Sequence, residues 1–347
     1  MPAERPRIML PLPEHFDSSQ VGAIWRVPYQ ERAAQAEAWA RLHQIPHAGD
    51  DDHRVGLVLV DCQNTFCIPG FELFVAGRSG SGAVDDNVRL SEFIYRNLGS
   101  ITEIVASLDT HTAMQVFHSV FFLNAAGEHP PPYTGIPLGD IENGRWQINP
   151  AVARSLGHEL AYLRAHLLHY CKKLAASGKY ELMVWPYHAM LGGVGHALVA
   201  AIEEAVFFHT IARQTQARFE VKGHNPLVEN YSSLKPEVLE GVHGQPVAEA
   251  NVRLRDQLLG YDAILIAGQA KSHCVAWTVD DLLAEIRRRA PGLERRVYLL
   301  EDCMSPVVVP GADFTDQCEA AFARYAAAGV HVVRSTVPMS EWLEKPG

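Results

Sequence analysis

Short runs of residues that are apolar throughout, each followed by a helical pattern, constrain this chain more than any other feature. Val55-Gly56-Leu57-Val58-Leu59-Val60 is the first, and Ala263-Ile264-Leu265-Ile266-Ala267 the cleanest. A strand that is apolar on both faces must be covered on both, so such runs predict a parallel sheet between layers of helices. Ile101 to Leu108, Glu181 to Trp185, Ala217 to Lys222, Arg296 to Glu301 and Val330 to Val333 read as further strands. Helices are expected from a cap at Asp85 and Asp86 to about Leu98, and over Gly195 to Gln214, Val247 to Leu259 and Phe314 to Ala328. Another follows Cys274, where Val275, Val279, Leu282 and Ile286 recur at helical spacing. The expected fold class is α/β: one doubly wound, mostly parallel domain over 55–347.

Two segments stand outside this alternation. Residues 1–54 are rich in proline, charge and alanine, with one helix around Gln30 to His43, and read as an N-terminal arm packed on the body or on another subunit. Residues 128–179 read as an insertion: loop to about residue 150, then an Ala/Leu/His-rich helix over 151–176. Composition bounds the partners. Of 347 residues 48% are hydrophobic, enough for a packed core, and 30 basic against 40 acidic side chains give a net charge of −10. That balance argues against nucleic acid or an anionic membrane as partner. Six scattered cysteines without CxxC spacing are expected as reduced thiols. Met1 to Pro6 show no secretion signal and no run reaches membrane-spanning length, so a soluble cytoplasmic protein is expected.

In open parallel sheets ligands bind at the carboxyl ends of the strands. Asp61, Asp109, Trp185, Lys222 and Ala270 all fall at or just beyond such ends. Cys274 follows a strand and a glycine turn, placing it in the first turn of a helix, where free N–H groups and the macrodipole favour a thiolate. The local pattern fits a nucleophile or a buried spectator. Asp61 can take the thiol proton, and the Lys222 ammonium can stabilise thiolate and carboxylate together. Taken singly, Asp61 also fits a turn acid, Lys222 a surface ion pair, and His273 a substitute base. Asp109, His111, His118 and His188 form a second constellation, a carboxylate with imidazoles that suits zinc, iron or manganese. Phe66 and Trp185 read as a clamp for a flat ring or as core aromatics.

Together these segments resemble the nicotinamidase branch of the isochorismatase-like cysteine hydrolases, in order from about Val55 to about residue 335. The segments are Asp61-Cys62-Gln63-Asn64-Thr65-Phe66-Cys67; Asp109-Thr110-His111 with His118; Trp185-Pro186-Tyr187-His188; Val221-Lys222-Gly223 with Glu229 and Tyr231; and Gly268 to Thr278. The resemblance implies a six-stranded parallel sheet and an Asp61–Lys222–Cys274 triad. It implies a cis peptide before Ala270, with the N–H groups of Ala270 and Cys274 as an oxyanion hole. It also implies a divalent metal on Asp109, His111 and His188, with His118 the less firm ligand, and a ring pocket at Phe66 and Trp185. The expected activity is hydrolysis of a small carboxamide, nicotinamide first, through a thioester, by a homo-oligomer. The alternatives are another small amide (carbamoyl, ureido or maleamate-type) and a catalytically silent binding protein on the same fold. Ala189 replaces the family's usual cysteine, Gln269-Ala270-Lys271-Ser272 sets a lysine beside the expected oxyanion hole, and the insertion is long for this family.

Overall fold

A computed structural model describes residues 9–178, 180–309 and 311–343. The first eight residues of the arm, Lys179 at the end of the insertion and the last four residues lie outside these. Strands β1 (Val55–Val60), β2 (Glu103–Asp109), β3 (Arg218–Lys222), β4 (Ala263–Gly268), β5 (Val297–Leu300) and β6 (His331–Val333) form one sheet in the order β6-β5-β4-β1-β2-β3. All five pairings are parallel. Every residue of β1 and β4 is buried, as strands covered on both faces must be. β3 lies at an edge, and its Phe219 and Val221 are exposed.

The principal helices are α1 (Tyr29–Leu42), α2 (Gly82–Arg96), α3 (Leu138–Glu142), α4 (Pro150–Leu156), α5 (Leu160–Ser177), α6 (Ala200–Arg213), α7 (Val252–Leu258), α8 (Ala276–Arg289) and α9 (Thr315–Ala327). Two hydrophobic clusters cover the sheet's two faces, one with α2 and α6, the other with α7, α8 and α9. The arm's described part packs on its own body: Arg32 Nε donates to Glu204 at 2.7 Å, and Tyr29 stacks edge-on against Phe207. No helix of the described residues is long and apolar enough to cross a membrane.

Three expectations change. The stretch Glu181 to Trp185 is not a strand of the main sheet: only Leu182–Met183 pair, antiparallel, with Gly135–Ile136. Proline at 186 and the turn that follows leave no length for a ladder. The single helix expected over 151–176 is two. Asn149 caps α4, and Gly157, at φ 70°, ends it with the left-handed turn that glycine enters most readily. Asp85 and Asp86 lie inside α2 rather than capping it, and Asp86 is buried against Arg89 and Gln269.

Candidate active site and metal centre

The order β4-β1-β2-β3 brings four chemistry-bearing strand ends side by side, about 5 Å apart per strand. Val60 pairs with Gly268 and Asp109 with Lys222, so Asp61, Asp109, Lys222 and the turn after β4 meet at one edge. Gly268, at φ 117°, permits this: a Cβ there would collide with the Val60 carbonyl. Lys222 spans the cluster. Its Nζ lies 2.9 Å from Asp61 Oδ2, 3.0 Å from Asp109 Oδ1 and 3.6 Å from Cys274 Sγ, and donates to the Asn230 carbonyl at 3.0 Å. Lys222 is 5% exposed, Asp61 0% and Cys274 7%, so neither the surface-pair nor the turn-acid reading fits.

Asp61 is held at φ 48°, an uncommon backbone for a non-glycine residue. Ser107 fixes it twice, accepting from Asp61 N at 3.2 Å and donating to Oδ1 at 2.6 Å. Oδ2 lies 2.9 Å from the Lys222 ammonium. Burial pushes the Asp61 carboxyl above its usual range, against the pull of Lys222. Burial likewise pushes the Cys274 thiol well above its usual value, again opposed by Lys222. For Lys222 burial acts downward, yet Asp109 and Asp61 outweigh it and the ammonium is strongly favoured. Burial thus works against the charged form of both Asp61 and Cys274, and the Lys222 ammonium works for it. The position of the thiol differs from expectation: Cys274 sits in a π-helical turn, Lys271–Val275, just ahead of α8. The Gln269–Ala270 peptide is cis.

Two other expectations are overturned. Lys271 does not enter the site: its Nζ pairs with Glu319 at 2.7 Å over the Phe322 ring. His273, read as a substitute base, is buried and engaged elsewhere. Burial lowers its pKa to about 3, its Nδ1 bonds Ser272 Oγ at 2.9 Å, and its ring packs among Tyr180, Trp185, Tyr231 and Phe314.

Beside the thiol cluster, donor atoms of Asp109, His111 and His188 lie within 4.8 Å of one another, all buried. His111 Nδ1 faces the Gly223 carbonyl at 3.1 Å and His188 Nδ1 the Pro186 carbonyl at 2.8 Å. Each imidazole thus donates from Nδ1 and turns Nε2 toward Asp109 Oδ2, at 2.9 and 3.7 Å. Two imidazole nitrogens converging on a carboxylate, each ring oriented by a carbonyl behind it, are the donor set of a divalent cation; against burial, Asp109 raises the His111 pKa. Gly223 makes the room: a Cβ there would lie 2.7 Å from Asp109 Oδ1. His118 repeats the pattern, Nδ1 on the Ala113 carbonyl and Nε2 buried without a hydrogen-bond partner among the described residues. Its ring centroid is 6.0 Å from that of His111 and 6.2 Å from that of His188, outside the three-residue set. Burial and the neighbouring imidazoles lower its pKa to about 3, so it is neutral and able to ligate.

Phe66 stands edge-on to His188, and Trp185 edge-on to His273 with its Nε1 donating to Tyr231 at 2.8 Å. Residues without an assigned role in the sequence reading complete the frame. Gln63 donates to the Asp109 carbonyl at 2.8 Å and accepts from its N–H at 2.7 Å. The buried Glu229 carboxyl is pushed up to about 7, by burial first and by Asp109, with His111 opposing. A polar Ser107 inside the apolar β2 was the one visible signal.

No protein-family model matches the chain, and no curated protein matches it. Solved structures do. Yeast nicotinamidase bound to the inhibitor nicotinaldehyde is 18% identical with a TM-score of 0.50, covering 81% of this chain and 99% of that one. A nicotinamidase/pyrazinamidase of Acinetobacter baumanii is 19% identical with a TM-score of 0.49, over 83% and 99%. An isochorismatase-like hydrolase of Alkaliphilus metalliredigens is 11% identical with a TM-score of 0.42, over 83% and 99%. The parallel sheet of six strands and the likeness to the yeast enzyme agree: this chain has the fold of that nicotinamidase.

Proposed function

We propose that this protein is a cysteine-dependent amidohydrolase that cleaves a small planar carboxamide, nicotinamide first, to its acid and ammonia. One observation carries the reading: a single buried ammonium, Lys222, lies within 3.0 Å of Asp61 and 3.6 Å of Cys274 Sγ, residues far apart in sequence. The fold shared with a nicotinamidase that carries nicotinaldehyde supports the substrate class.

In this mechanism Asp61 takes the Cys274 proton as sulfur attacks the carboxamide carbon, and Lys222 stabilises the charge that develops on sulfur. The backbone N–H groups of Ala270 and Cys274 receive the oxyanion, each such donor typically worth about 3–4 kcal/mol. Asp61 returns the proton to the leaving nitrogen, ammonia departs and a thioester is left. Asp61 then takes a proton from water as its oxygen attacks the thioester; the acid leaves and the thiol is restored. Asp109, His111 and His188, with His118 adjacent, would hold a divalent zinc, iron or manganese ion, which supplies a Lewis acid able to orient the substrate. Phe66 and Trp185 flank the ring.

The second reading keeps the chemistry and changes the acyl group. Tyr133 in the insertion stands edge-on to Trp185, and Tyr180 just after it packs on His273 and donates to the Ser272 carbonyl at 2.8 Å. Walls of this kind favour another small amide, such as a carbamoyl, ureido or maleamate-type compound. Ammonia release across such a panel, nicotinamide included, separates the two. No release from any amide, with Cys274 no more reactive to iodoacetamide than the other five cysteines, would leave a binding protein on this fold.

A further inference from the structure

One helix of the insertion, α5, bears on the chain that follows β3. After β3 the chain runs as a strap, residues 223–235, that completes the cluster from above. The Asn230 carbonyl accepts from Lys222 Nζ at 3.0 Å, and the Tyr231 hydroxyl accepts from Trp185 Nε1 at 2.8 Å. A strap outside the sheet has no ladder to fix its height, so its main-chain groups must find partners elsewhere.

Its two ends are fixed by the body. Gln115 Nε2 donates to the Gly223 and Asn225 carbonyls at 2.5 and 3.2 Å, and Val116 N to the Pro226 carbonyl at 2.9 Å. At the far end Ser233 N donates to Thr278 Oγ1 at 2.9 Å, and Lys235 pairs with Asp281 at 3.0 Å.

The middle is gripped by α5. His166 Nε2 donates to the Leu227 carbonyl at 3.0 Å. One turn later, on the same helix face, the Tyr170 hydroxyl accepts from Glu229 N at 3.1 Å. Both side chains are inaccessible, His166 at 2% and Tyr170 at 0%. His166 Nδ1 has no hydrogen-bond partner among the described residues. Neither residue bonds Asp61, Lys222 or Cys274 in the described structure, so whatever they contribute passes through the strap.

We infer that α5 is part of the catalytic apparatus, with His166 and Tyr170 as positioning residues that set the height from which Asn230 orients Lys222 and Tyr231 orients Trp185. The inference rests on the proposed role of Cys274 as nucleophile. It gives the insertion a task beyond covering surface, because the ammonium's third partner, after two carboxylates, belongs to a strap whose preceding residues are held by a helix that interrupts the α/β alternation.

The test compares His166→Leu, His166→Gln, Tyr170→Phe and the Leu/Phe double variant in the full chain. Two quantities are read: the iodoacetamide rate at Cys274, followed by peptide mass mapping, and kcat and KM for the amide the wild type cleaves. The thermal midpoint is recorded alongside. Each disruptive single variant is expected to slow Cys274 alkylation and lower kcat severalfold, and the double variant about tenfold to a hundredfold, as for a reacting group displaced by an ångström. His166→Gln keeps an N–H donor near the Nε2 position and is expected to restore most of the rate. A lowered thermal midpoint with alkylation and kcat unchanged, or a Gln variant no better than Leu at equal stability, overturns the inference and leaves α5 a structural cover. A wild-type Cys274 no faster than the other cysteines overturns the functional reading and removes this inference with it. Tyr170→Phe preserves core volume, so the test stands even if the double variant fails to fold.

Discussion

The same pair of neighbouring strands carries an ion pair at each end. At the amino ends, Glu103 of β2 faces Arg218 of β3 at 2.5 Å; at the carboxyl ends, Asp109 faces Lys222 at 3.0 Å. Their surroundings differ. Glu103 also accepts from Tyr261 at 2.5 Å and faces Arg54 at 3.8 Å, and the Arg218 side chain is 38% exposed. There donors outnumber the acid and water reaches the pair. At the carboxyl ends one ammonium serves two carboxylates and a thiol, all buried, beside imidazoles that turn Nε2 inward. An excess of acceptors in a dry place has chemistry left to do; an acid saturated by donors, one of them in water, has none.

If that contrast is right, Cys274→Ala abolishes amide hydrolysis, lowering kcat by about ten-thousandfold or more with the circular dichroism spectrum intact. Near-normal turnover would end the assignment of this strand end as the site. Lys222→Met leaves two buried carboxylates unpaired, with an expected loss of about 3–5 kcal/mol in urea unfolding along with activity. Arg218→Met at the wetted end is expected to cost about 1 kcal/mol or less and to spare turnover. Equal losses at both ends would erase the comparison.

Chelation sharpens it further. A divalent ion bound by wild type and counted by elemental analysis is expected to be lost in His188→Ala, with activity falling about tenfold to a hundredfold. Full turnover in a verified metal-free sample would remove the ion's role. The smallest effect is in pH. Burial raises the Asp61 carboxyl, so the protonated acid is the form the fold favours. Its stabilising contribution is present below the unfolded-state pKa and is lost as pH rises through the folded one. Activity follows the opposite course, since the base must be ionised. The acid limb of kcat/KM is therefore expected above the ordinary aspartate value of about 4. A limb at or below that value would mean that Asp61 is wetter than its burial implies.

Most of this was legible from residue order because it depends on local pattern. Fully apolar runs such as Val55–Val60 declare strands covered on both faces, and a charged residue closing such a run marks the functional edge. Trp185 shows the limit: its stretch reads as a strand by composition, yet Pro186 and the turn to His188 make it a loop. Lys271 shows another, since nothing in Gln269-Ala270-Lys271-Ser272 reveals that α9 offers Glu319 to draw the side chain away. The grip of His166 and Tyr170 on the strap was equally hidden, because the bonded residues lie 61 and 59 positions apart.

By itself, then, the sequence determined the layered parallel sheet, the acids and lysine at its carboxyl edge and the cysteine after its glycine turn, since periodicity and strand ends are properties of neighbouring residues. Tertiary structure alone decided that Lys222 reaches across Asp109 to Asp61, that the Cys274 thiol is closed off from water and that α5 bears on the strap. Those outcomes depend on which distant groups share a volume closed to water, and desolvation and charge pairing act through space rather than along the chain.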